Sequence, residues 1–138
     1  MVTEGLGFEV KLPVAYDAAV EQVTAALKAE GFGVLTTIDV AATLKTKIGA
    51  DFRPYVILGA CNPHLAHRAL QRSADVGLML PCNVTVEADP TGGSIVRIAN
   101  PDLMLGVGDL ARDAELKGVA AEARARLERV AAALRAAS

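Results

Sequence analysis

Tryptophan is absent from this sequence of 138 residues, and three phenylalanines and two tyrosines are its whole aromatic complement. Hydrophobic residues nevertheless make up 52%, mostly alanine, valine and leucine, so the interior they build is aliphatic. Phe8, Phe32, Phe52, Tyr16 and Tyr55 are its expected large pieces. A strong excess of one charge is also missing. The formal net charge is −2 and the charges are interspersed, without the basic stripe that a nucleic-acid surface needs. No apolar run approaches the roughly 20 residues of a membrane-spanning helix, so neither nucleic acid nor membrane is an expected partner. Residues 1–13 lack a basic region followed by an apolar run, so no secretory signal is expected. The expected setting is the reducing cytoplasm, where Cys61 and Cys82 stand as thiols rather than as a structural disulfide. No Ser-His-Asp order, P-loop or Rossmann glycine pattern occurs, and Gly106-Val107-Gly108 lacks the flanking strand and helix of a nucleotide loop. No cofactor is indicated, and whether the chain is an enzyme stays open.

What is present organises into one expected domain spanning residues 1–138, without repeat, linker or low-complexity tract. Leu6–Leu12 alternates with period two and predicts a half-buried strand ended by Pro13. Asp17 is the expected cap of a helix with Val20, Val23 and Leu27 on one face. Gly31 and Phe32 follow as a Schellman stop, with Phe32 packing on Leu27. Residues 33–39 read as a strand, 40–48 as a short helix capped by Asp39 and ended by Gly49, and 55–60 as a buried strand. Asn62 and Pro63 open a helix near 63–72, Asn as cap and Pro at its first position, with Leu65, Ala69 and Leu70 turned inward. Residues 83–88 and 94–99 flank the turn Asp89-Pro90-Thr91-Gly92-Gly93 and form a hairpin. Residues 101–108 read as a loop exposing Leu103, Met104 and Leu105. Leu116, Val119, Ala123, Leu127, Val130 and Leu134 then step by three and four along a long final helix with a charged wet side.

Candidate chemistry gathers at two Cys-Asn pairs. Cys61 precedes the cap of a helix, where the positive end of the dipole favours thiolate; its bland alternative is a small buried hydrophobe. Cys61, His64 and His67 form a C-x-x-H-x-x-H run, and Cys61, His67 and Cys82 are a weak metal set, because a structural site needs a second pair of ligands at its own spacing. Cys82 follows Pro81, which marks a strand irregularity of the kind that borders sites. Asn83 is placed to bond backbone or ligand. Arg53, Tyr55 and Arg68 are possible anion or ligand contacts.

At GFGVLTTID (31–39), Leu44-Lys45, Gly49 and DFRPY (51–55) the chain begins to resemble the Domain of Unknown Function 302 family. The resemblance becomes specific at ILGACNPHLAHRAL (57–70) and LPCNV (80–84), and spans roughly residues 5–135. Cys61, Asn62, Pro63, Ala66 and Leu70, then Leu80, Pro81, Cys82 and Asn83, follow the family pattern, whereas His64 is peculiar to this sequence. The resemblance implies an α+β fold of β-α-β(4)-α type, shaped like TATA-binding-protein-like or helix-grip folds. It further implies a tendency to form homodimers, and it brings no established activity. Three readings follow. The first is a small-ligand-binding or thiol-bearing module with Cys61, Asn62, His67, Arg68, Cys82 and Asn83 at its site. The second is redox or metal-dependent thiol chemistry at Cys61 and Cys82, with His67. The third is a structural homodimeric module.

Overall fold

A computed structural model describes the backbone of residues 2–3 and all of residues 5–137. Its centre is an antiparallel sheet of six strands in the order β1-β2-β6-β5-β4-β3. The strands are β1 (Val2–Thr3), β2 (Gly7–Leu12), β3 (Gly33–Asp39), β4 (Tyr55–Cys61), β5 (Cys82–Ala88) and β6 (Ser94–Ala99). Five helices accompany them: α1 (Tyr16–Ala29), α2 (Val40–Ile48), α3 (Pro63–Arg72), α4 (Pro101–Met104) and α5 (Ala114–Ala137). The expected β-α-β(4)-α plan is therefore present, with the short α2 and α3 where the sequence predicts them. Among the described residues no helix is long and apolar enough to cross a membrane.

Strand alternation decides what each face of the sheet does. Phe8, Val10 and Leu12 of β2, Val96 and Ile98 of β6, Val84 and Val86 of β5, and Val56, Leu58 and Ala60 of β4 all point to one side and are buried. They pack against Ala19, Val23 and Leu27 of α1 and Leu127, Val130, Ala131 and Leu134 of α5. The final helix spans about 36 Å at 1.5 Å per residue, longer than this core. Its first half serves a second cluster, in which Leu116, Val119, Ala120 and Ala123 meet Leu65 and Ala69 of α3 together with Val76, Leu105 and Leu110. Ion pairs of Arg68 with Glu122 (3.1 Å) and Arg72 with Asp113 (3.0 Å) clip α3 to the start of α5 from outside.

The local stops follow their chemistry. Gly31, at φ 85°, closes α1: its N–H reaches Lys28 O at 3.0 Å and the Phe32 N–H reaches Leu27 O at 2.9 Å, the two bonds of a Schellman motif. Asp39 Oδ1 accepts from the Ala42 N–H at 2.9 Å, and Asn62 Oδ1 from the Leu65 N–H at 3.2 Å. Gly59 of β4 is a different case, set by space. A β-carbon there would collide with Thr36 Oγ1 and lie 2.8 Å from the Pro81 ring.

Several expectations fail for identifiable reasons. Asp17 does not cap α1. Ala15 holds the cap position without a side-chain bond, and Asp17 sits in the first turn, where its charge suits the dipole. Leu6 precedes β2 and is exposed. Phe52 is exposed rather than in the core: it lies in the irregular segment between α2 and β4, with its ring 4.5 Å from the Arg53 guanidinium. Leu70 faces outward from α3. The expected loop after β6 begins with α4, whose cap is Asn100 and first residue Pro101, and Leu105 is buried in the second cluster instead of exposed.

Candidate functional site

The strand β4 runs directly into α3, and β5 starts beside that corner. Ala60 pairs with Cys82 and Gly59 with Asn83. Cys61, Asn62 and Cys82 consequently meet around a small space of about 30 Å³, lined also by Phe32, Leu65, Ala69, Leu80 and Ala123. Such a space holds a water molecule or two and no organic ligand. Asn62 is buried and already employed as the α3 cap. A β-carbon on Gly31 would come within 2.9 Å of its Nδ2, so glycine at 31 serves this contact as well as its own positive φ.

Electrostatics at the corner runs against an activated thiol. Burial pushes the Cys82 thiol up to about 11, with the neighbouring Cys61 adding to the effect. Burial also raises Cys61. The position before the α3 cap favours thiolate at Cys61 on the dipole argument, and burial acts in the opposite direction. Both cysteines are unbridged. His64 and His67 are exposed on α3, and Arg68 is engaged with Glu122 and Glu115. Among the described residues no group of three or more His, Cys, Asp or Glu converges on one ion position, so Cys61, His67 and Cys82 do not form one.

Asn83 is separated from this group by the pleat. As the neighbour of Cys82 on β5 it points to the opposite face, the one that α1 and α5 leave uncovered. There it lines a hollow of about 420 Å³ together with Tyr55, Thr85, Arg97, Ala99 and Met104, with Leu6 and Gly7, and with the backbone of Phe8 and Ile98, whose side chains turn to the core. Thr85 and Arg97 are direct cross-strand partners. The Thr85 hydroxyl is buried without a hydrogen-bond partner.

Beside the hollow lies a closed ion cluster. Glu87, only 3% exposed, accepts hydrogen bonds from Arg53 Nε and Arg97 Nη1. Arg97 also pairs with Glu9 at 3.4 Å. Burial alone would raise the Glu87 carboxyl. The bonds from Arg97 and Arg53 and their charges outweigh it, and hold the group below its ordinary value. The Arg53 guanidinium in turn lies 4.5 Å from the Phe52 ring and 5.8 Å from the Tyr55 ring, and the two rings meet edge to face at 6.0 Å, which carries the aromatic rim up to the hollow. Of these residues the sequence singled out Arg53, Tyr55 and Asn83. It missed Thr85, Arg97, Glu87 and Met104. The available signal was the polar phase of the hairpin, Asn83, Thr85 and Glu87 alternating with Val84 and Val86.

A family model described as a domain of unknown function, DUF302, matches residues 8–134. The chain belongs to the DUF302 family. Among solved structures, the DUF302 chain is similar to an uncharacterized conserved DUF302 protein from Bacillus stearothermophilus, at 34% identity. The alignment covers 94% of this chain and 95% of that one, with a TM-score of 0.78. A search of functionally curated proteins finds no match.

The raised thiols of this DUF302 chain give a direct test. Alkylation of the native protein across a pH series, with mass spectrometry assigning each site, is expected to titrate Cys82 with a midpoint near 11 and Cys61 above the ordinary 9.0. A midpoint below 9.0 at Cys61 would mean an activated nucleophile and contradict this description of the corner.

Proposed function

We propose that this DUF302 chain is a small-ligand-binding module whose site is the hollow on the open face of the sheet, around Tyr55, Asn83, Thr85 and Arg97. The observation that carries the reading is its size. At about 420 Å³ it falls within the range of small-molecule pockets, roughly 300–1,000 Å³, whereas the cysteine corner encloses about 30 Å³. Its lining suits a ligand too, being mostly apolar with a few convergent polar groups. Thiol or metal chemistry at Cys61, Cys82 and His67 has less behind it: burial raises both thiols and the histidines stand apart in solvent. A reducing, cytoplasmic setting suits the two unbridged thiols.

The neutral fluorophore N-phenylnaphthylamine tests the reading. Saturable fluorescence enhancement is expected with the native chain, and weakening by about tenfold or more in Ala99→Trp, which fills the hollow. Cys61→Ser, at the corner, is expected to bind as the native chain does. Circular dichroism checks that both variants fold. Enhancement that survives Ala99→Trp and is lost in Cys61→Ser would move the site to the cysteine corner.

A homodimer is the second reading, favoured by the exposed edge of the sheet. β3 is an edge strand with Leu35 and Ile38 exposed, and the adjacent α2 buries none of its residues. An open antiparallel edge pairs naturally with a second copy of itself about a two-fold axis. Sedimentation is expected to give a dimer for the native chain and a monomer for Leu35→Lys; a monomeric native chain at high concentration would rule the dimer out.

A further inference from the structure

The charge balance around the hollow narrows what it can hold, and we propose that its ligand is an uncharged, largely apolar molecule carrying an amide, carbonyl or hydroxyl group. The inference rests on the ligand-binding reading above and adds the chemical class. Arg97 is the one charged side chain lining the hollow among the described residues. Its guanidinium is already committed to two carboxylates, Glu87 and Glu9, and Glu87 also takes Arg53. Two cations and two anions therefore close on one another at the wall.

An incoming anion would find Arg97 occupied and two carboxylates close behind it. An incoming cation would face the guanidinium before it met either carboxylate. Either ion would also shed its water against a mostly apolar lining, which costs far more than desolvating a neutral polar group. The remaining polar groups open to the hollow are the Tyr55 hydroxyl and the Asn83 amide, with the Thr85 hydroxyl buried behind them. They offer both donors and acceptors, which is what an uncharged polar group requires.

Displacement of N-phenylnaphthylamine by three probes of one shape reads the class directly. These are naphthamide, naphthoate and naphthylmethylammonium, compared at neutral pH. Naphthamide is expected to bind about tenfold or more tighter than either ion. In Glu9→Gln, which removes one carboxylate from Arg97, naphthoate is expected to gain severalfold while naphthamide stays within about twofold. Preferred binding of naphthoate or naphthylmethylammonium by the native chain overturns the uncharged class and leaves the site standing. Failure of all three to displace a dye that Ala99→Trp still excludes overturns the class as well. A dye that does not bind the native chain, or binds Ala99→Trp equally, overturns the site and this inference together.

Discussion

A carboxylate taken out of water inside a sheet has to be met by cations at hydrogen-bond distance, because an unanswered buried charge costs several kcal/mol. Glu87 is such a group, and much of the open face is arranged by the need to answer it. Arg97 reaches it from the neighbouring strand of the hairpin, and Arg53 from the irregular segment before β4. Arg53 there also lies against the rings of Phe52 and Tyr55. Holding Arg97 there, with Glu9 on its other side, walls the hollow with a charge that is already neutralised.

The other face of the sheet has the opposite logic. Its residues are aliphatic and are sealed by α1 and α5, and α5 runs on to close the second cluster over α3. Two tight contacts hold the corner where β4, α3 and the start of the hairpin meet. Asn62 caps α3 while leaning on Gly31, and Pro81 packs over the bare backbone of Gly59. The Cys-Asn pairs thus divide by face. Cys61, Asn62 and Cys82 belong to the packing of the corner, while Asn83 turns to the hollow.

Much of the fold was legible because local rules coincide with it. Period two marked β2 and the hairpin strands, and the stop at Gly31-Phe32 and the Asn62-Pro63 cap were read from neighbours in sequence. The same Asn-Pro signal stands at 100–101, but the short α4 lacks the apolar period that marks a helix, and nothing local shows that Leu105 is buried. Hydrophobicity alone does not reveal that the Phe52 ring sits outside, against a guanidinium. The hollow was less legible still. Thr85 and Arg97 are twelve residues apart and meet only through strand register, and polar alternation on a strand looks the same whether it faces water or a ligand. The burial that raises the Cys61 thiol is equally hidden in the sequence, because Phe32, Leu65 and Leu80 reach the corner from separate segments.

The most direct test of the account is the stability of Glu87→Gln against pH. The Glu87 carboxyl is held below its ordinary 4.5 in the folded chain, so it contributes stability above that pH and loses it as pH falls through the lower folded value. Asp89 and Asp113 are also depressed and shape the acid limb of both proteins, so the difference between the two curves isolates Glu87. Chemical denaturation is predicted to find Glu87→Gln less stable at neutral pH by about 1–3 kcal/mol, a range kept modest because both guanidinium partners are half exposed. The gap is predicted to close as the pH drops below 4.5. Equal stability at neutral pH, with parallel acid limbs, would contradict the claim that this ion cluster organises the open face.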